Sequence, residues 1–253
     1  MTQHTQAPTR RYGIDRRDFL RYMAAVSAIP TLATAAQGQT NRPAKFASYP
    51  FTLGVASGDP ASDSVVIWTR LATDPLRGGL LSPEPVSVQW EVARDEAFAD
   101  VVQKGTALAL PQLGHSVHVE VDGLDSARWY FYRFHAGSET SPVGRTRTAP
   151  AADVTPDRLR FAFTSCQHWE YGYFNGYPHM QQEDLDLVVH LGDYIYEYGG
   201  QNGKVRKHLG NEIVALADYR TRYSQYRLDE TLQETDRVFR WLVTWDDHEF
   251  DNN

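Results

Sequence analysis

Trp241-Leu242-Val243-Thr244-Trp245-Asp246-Asp247-His248-Glu249-Phe250-Asp251-Asn252-Asn253 is the stretch on which the fold turns. An apolar run hands over abruptly to carboxylates, an imidazole and two amides, as a buried parallel strand does when its carboxyl end opens into a metal or phosphate site. Such a strand needs neighbours on both sides and helices over both faces. The chain stops a few residues later, so the domain holding this strand is expected to be incomplete.

Working back along the chain, Leu159-Arg160-Phe161-Ala162-Phe163-Thr164-Ser165-Cys166 and Leu185-Asp186-Leu187-Val188-Val189-His190-Leu191-Gly192-Asp193 read as two more strands. A helix fits between them around residues 176–183, and helical patterns run over 215–227 and 229–239. Strand, helix, strand, helices, strand is the order of an α/β layered domain, beginning near Arg158.

From Phe51 to about Arg147 the period changes to two. Val86, Val88, Trp90 and Val92 alternate with Ser87, Gln89 and Glu91, while Val117, Val119 and Val121 alternate with His118 and Glu120. Val65–Trp68 and Trp129–Phe134 are further short strands between Gly and Pro turns. This spacing predicts an all-β sandwich of immunoglobulin or fibronectin type over 51–148. Leu124 six residues before Tyr130 fits the tyrosine corner of such sandwiches. His115, His118 and His135 read as surface strand residues. A Pro- and Ala-rich junction, Ala149 to Pro156, separates the sandwich from the α/β segment over 158–253.

The first residues belong to neither segment. Asp15-Arg16-Arg17-Asp18-Phe19-Leu20-Arg21, a weakly apolar stretch to Ala35 and a small-residue cleavage candidate Ala33-Thr34-Ala35 follow the order of a twin-arginine export signal over 1–35. Residues 36–50 have a linker's composition. The apolar stretch is too short, and too interrupted by Pro30, to be a spanning helix. A periplasmic or secreted location is expected, reached through the export machinery that carries folded proteins. Loss of residues 1–35 removes five arginines and two aspartates, three net positive charges, which takes the whole-chain charge from −7 to −10. Nucleic-acid binding, which displaces counterions with basic surface, is disfavoured. The one cysteine, Cys166, excludes an internal disulfide.

Three strand ends carry the chemistry. Taken singly, Cys166 could be buried filler, Asp193 a turn aspartate after Gly192, and His248 a solvated turn histidine. Together they converge at the edge where α/β sheets bind ligands, with Tyr196 able to fold back toward Asp193, and thiolate, phenolate and carboxylates describe a site for more than one metal. Arg220, Arg222 and Arg227 read as the polar face of a helix, with Arg222 a candidate for substrate phosphate. Tyr171, Tyr173, Phe174 and Tyr177 read as packing rather than as a substrate platform.

Thr164-Ser165-Cys166-Gln167, the run from Glu183 to Tyr198, Tyr219-Arg220-Thr221-Arg222-Tyr223 and Trp245-Asp246-Asp247-His248-Glu249 resemble the PhoD-type alkaline phosphatases and phosphodiesterases, within the calcineurin-like metallophosphoesterases. Phe51 to Pro60 and Trp68-Thr69-Arg70 resemble that family's leading sandwich domain. The resemblance implies that Asp193 bridges metals, with Cys166 and Tyr196 on the side of a ferric iron (Fe3+), and Asp247 near a second, calcium (Ca2+) position. It places His248 as the catalytic histidine at the leaving oxygen. A metal-held hydroxide attacking phosphorus in line, with phosphate esters as substrates, is the implied chemistry. Relatives carry further ligands on later strands, which this chain does not include. A reading of a different class, a non-catalytic exported sandwich that binds a partner and carries a vestigial phosphatase remnant, stands beside it.

Overall fold

The computed structural model describes residues 44–79 and 82–251. The export signal read over 1–35 lies outside the described residues. Eleven strands among the described residues form two sheets. The first sheet runs β5-β2-β1-β11-β10-β9, with β1 Val55–Gly58, β2 Val65–Arg70, β5 Ser116–Val121, β9 Phe161–Thr164, β10 Leu187–His190 and β11 Arg240–Val243. The second runs β4-β3-β6-β7, with β3 Val86–Ala93, β4 Val101–Ala109, β6 Trp129–Ala136 and β7 Glu139–Thr140, while β8 Gly144–Arg147 pairs with β6.

Period-two alternation does what it predicted. In β3, Val86, Val88 and Val92 are buried and Ser87 and Gln89 exposed; in β5, Val117, Val119 and Val121 are buried and His118 and Glu120 exposed. These side chains meet Val55, Val65, Ile67, Tyr130, Tyr132 and Phe134 in one core enclosed by the two sheets. Each large apolar side chain removed from water there is worth about 1.5–3 kcal/mol. The Tyr130 hydroxyl accepts a hydrogen bond from the Asp125 N–H at 2.8 Å, which is the corner read from Leu124 and Tyr130.

His115 departs from its reading. It lies in the turn before β5 rather than in a strand, at φ 59°, and is buried with Nδ1 3.1 Å from the Ala109 carbonyl and Nε2 3.0 Å from that of Ser82. Its imidazole closes the loop from inside, a role that period-two alternation does not reveal.

The two sequence segments keep separate cores but share the first sheet. Phe174, Tyr177, Val188, Ile195, Tyr226, Leu232, Phe239 and Trp241 form the second core. β1 from the amino-terminal segment pairs in parallel with β11, Ser57 opposite Arg240 and Gly58 opposite Trp241. Gly58 admits that pairing, because a Cβ there would sit 2.7 Å from the Trp241 carbonyl oxygen. The junction at 149–156 is therefore a boundary in sequence that a continuous sheet spans. Polar side chains tie the join further. Arg227 donates to the Leu53 carbonyl (2.9 Å), Gln233 to that of Thr52 (3.1 Å), and Arg240 to that of Thr148 (3.2 Å).

Three α-helices occur among the described residues: α1 Tyr177–Met180, α2 Leu216–Arg227 and α3 Glu230–Val238. Asp218 accepts from the N–H groups of Ala215 and Val214 at the start of α2, and the Asp229 side chain caps α3 through Thr231 and Leu232. α1 is half the predicted length, because after Met180 the chain tightens into i→i−3 bonds, Gln182 to His179 and Glu183 to Met180. No helix among the described residues is long and apolar enough to cross a membrane.

Candidate metal centre

β9, β10 and β11 are mutually parallel, so their carboxyl ends open on one edge of the sheet. The loops that leave them are stitched together by the backbone. Leu191 N–H donates to Thr164 O, Thr244 N–H to His190 O, Cys166 N–H to Gly192 O and Gln167 N–H to Asp193 O, at 2.8 to 3.2 Å. Cys166 and Asp193 both stand at φ 54°, the left-handed region that non-glycine residues rarely occupy. Gly192, at φ 107°, makes the arrangement possible, since a Cβ there would lie 2.5 Å from the Asp246 Cβ and 2.6 Å from its backbone nitrogen.

At this edge Asp193, Asp247 and His248 each offer a ligand atom, all within 4.8 Å of one another. Asp193 is only 5% exposed. Its Oδ2 accepts from the Tyr196 hydroxyl at 2.9 Å, and its Oδ1 lies 3.4 Å from the His248 N–H. Burial, the Asp193 carboxylate and Cys166 beside the ring hold the Tyr196 phenol well above its ordinary range. That crowding of negative and ionisable groups suits a cation, whose charge would reverse the balance and favour phenolate, thiolate and carboxylate together. The donors fit a hard or borderline metal ion. Cys166 is exposed, and Asp247 and His248 are half-buried.

Two glutamates that the sequence reading passed over organise this set. Glu249, buried, accepts the N–H groups of Asp193 (3.1 Å), Tyr194 and Asp246 (2.8 Å), so one carboxylate clasps the β10 and β11 loops together. A signal was present: an acidic residue three positions after Asp246 has capping-box spacing, and the Asp247–Glu249 segment is a 3-10 turn. Glu197, also buried, sits 2.8 Å from His248 Nδ1. A carboxylate only accepts, so Nδ1 is the donor of this pair and the ring is oriented by it.

Arg222 is not at an open substrate surface. It is 1% exposed, and its guanidinium donates to the carbonyls of Tyr196, Tyr198 (2.9 Å) and Asn211 (3.4 Å). A fork that satisfies three carbonyls is spent as a brace for the loop carrying Tyr196 and Glu197. The tyrosine cluster also divides. Phe174 and Tyr177 are buried as read, whereas Tyr171 and Tyr173 are exposed. His168, unremarked in the sequence, packs its ring 4.1 Å from Tyr196 and 4.4 Å from Tyr171, and Tyr196 in turn lies 4.2 Å from His248.

Comparison with known proteins follows the same division. Residues 34–150 match the model of the PhoD-like phosphatase N-terminal domain, and residues 161–253 match that of PhoD-like phosphatase. Alkaline phosphatase D of Bacillus subtilis (strain 168) is 52% identical over 248 residues, covering 94% of this chain and 42% of that protein. A solved structure described as "Structure of PhoD" superposes with a TM-score of 0.81 at 57% identity, over 83% of this chain and 41% of the other. The chain thus spans about two-fifths of the length of the relatives it matches. On these matches the chain belongs to the PhoD-like phosphatase family.

Proposed function

We propose that the chain carries the amino-terminal part of an exported, metal-dependent phosphoric ester hydrolase, a phosphatase or phosphodiesterase. The observation that carries this reading is the meeting of Asp193, Asp247 and His248 within 4.8 Å at the ends of parallel strands, in a chain of this family. In this reading residues 51–148 form the immunoglobulin- or fibronectin-like sandwich and 158–253 an incomplete metallophosphoesterase domain. Large apolar side chains left open on the edge strand β9, Phe161 and Phe163, support incompleteness, as does the greater length of the relatives. The twin-arginine pattern around Arg16 and Arg17 supports export to the periplasm or beyond.

Cys166, Tyr196 and Asp193 would hold the Fe3+ position, and Asp193 and Asp247 the Ca2+ position. Bound ions supply charge neutralisation at the phosphoryl oxygens and an activated water for in-line attack. The chain's own residues do the rest. Glu197 accepts from His248 Nδ1 and fixes the imidazole, leaving Nε2 as the ring nitrogen that would hydrogen-bond the leaving oxygen. Glu249 keeps Asp193 and the Asp246–His248 turn in register. The buried Arg222 brace keeps Tyr196 beside Asp193.

The test uses the full-length protein containing this chain. Hydrolysis of nitrophenyl phosphate esters at alkaline pH should stop on chelation and return with metal, and Asp193→Asn should lose activity and metal content together. Unchanged turnover in Asp193→Asn sinks the reading. For export, replacing Arg16 and Arg17 with lysine should leave the protein unprocessed in the cytoplasm, and normal processing would count against the signal.

A further inference from the structure

Tyr171 is 62% exposed, yet the segment that carries it is firmly held. It ends the 3-10 turn Trp169–Tyr171, directly after Cys166, Gln167 and His168. The two residues before it are pinned from below. Trp169 N–H donates to the Tyr226 hydroxyl at 3.1 Å, and the Arg206 guanidinium lies 3.6 Å from the Trp169 ring. Glu170 has no exposure, and its Oε1 accepts the N–H groups of Gln201 (2.8 Å) and His208 (3.0 Å). The exposure of Tyr171 is therefore imposed by its neighbours and is not slack in a loose loop. Leaving such a ring in water forgoes its burial energy, and the groups around it decide what it can meet.

Ring contacts connect Tyr171 to the centre in three steps: to His168 at 4.4 Å, from His168 to Tyr196 at 4.1 Å, and from Tyr196 to His248 at 4.2 Å. His168 Nδ1 accepts the Glu170 N–H at 3.2 Å, so a proton of that ring sits on Nε2. On the other side of Tyr171 the loop 198–210 is stitched to the turn by Val205 N–H donating to Glu170 O at 3.1 Å, and Lys204 brings its ammonium 4.0 Å from the Tyr171 ring centre. An aromatic face, an imidazole donor and a cation thus line one rim beside the centre. Lys204 covers one face of the Tyr171 ring, so that combination would take a flat group attached to an anion against the part of the ring left exposed, with a negative substituent paired to the lysine.

We propose that Tyr171, flanked by His168 and Lys204, is a subsite for the alcohol part of a phosphoric ester and selects aromatic or heterocyclic leaving groups over small alkyl ones. The inference rests on the phosphoesterase reading above and adds the substrate class. Stacking on one tyrosine is worth roughly three- to tenfold in affinity.

The experiment measures calorimetric binding of benzylphosphonate and methylphosphonate, neither of which can be hydrolysed at its P–C bond, to the metal-loaded full-length protein. Wild type should bind benzylphosphonate about three- to tenfold more tightly. Tyr171→Leu should abolish that preference and leave methylphosphonate affinity unchanged, and Tyr171→Phe should retain it. Lys204→Gln should weaken a 4-carboxybenzylphosphonate selectively. Equal binding of the two probes by wild type, a preference that survives Tyr171→Leu, or a parallel loss of both probes overturns the subsite while the phosphoesterase reading stands. Binding of neither probe by wild type removes the phosphoryl site, and the subsite with it.

Discussion

His248 and Glu197 make the sharpest case at the scale of single residues. Removing the carboxylate frees the imidazole to rotate, and losing the carboxylate that orients a functional histidine costs about 10–100-fold where such partners support metal-ligating histidines. Glu197→Ala in the full-length protein should therefore lower kcat by that order with the fold intact by circular dichroism. An unchanged kcat would mean that the pair is only structural. The candidate site residues stood out in the sequence because their types are unusual after apolar runs: Cys166, Asp193 and Asp247-His248 each follow a strand. Their supports were harder to see. Glu197, Glu249 and His168 act through backbone groups and neighbouring rings, and such contacts have no signature in residue type alone. Arg222 shows the converse error. A cation in a helix resembles a phosphate ligand in sequence, whereas three carbonyls buried beside it decide its role in space.

At the scale of elements, the site depends on how closely three loops approach, and Gly192 sets the limit. Gly192→Ala must push apart the backbone at Asp246 or leave its φ of 107°, and strain of this kind costs about 2 kcal/mol or more. A fall in melting temperature together with weaker metal retention is expected; a melting temperature equal to wild type would show that the loops have room to spare. Element types were well read from periodicity, and their ends less so. The strands predicted over 159–166 and 185–193 pair only over Phe161–Thr164 and Leu187–His190, because the residues that follow leave extended geometry to build the site. α1 was read at twice its length, since the residues after Met180 keep helical composition but close into tighter turns.

The molecule as a whole carries buried imidazoles that stay neutral when folded. Burial, with Arg222 next in effect, pushes His208 down to about 3, and burial pushes His190 down to about 4. Both would take up a proton near pH 6.5 in the unfolded chain. The unfolded state then binds more protons throughout the interval, so stability is full above about pH 6.5 and declines as the pH falls toward 4. The decline should shrink in His208→Gln and His190→Gln; a melting temperature level from pH 7 to pH 4.5 in wild type, or a decline of the same size in both variants, would show that these rings do not govern acid stability. The sequence allowed two cores to be foreseen but not the sheet they share, because a parallel pair between residues so distant leaves no local periodic trace.

The pairing of β1 with β11 sets a timetable for synthesis. Ser57 and Gly58 leave the ribosome long before Arg240 and Trp241, by ~10–40 s at ordinary elongation rates. During that interval one edge of β1 has no partner in the sheet, and a nascent chain with an open strand edge is a target for holding chaperones. The first sheet therefore cannot close in the order in which its strands are made, and β1 must wait for β11 to emerge.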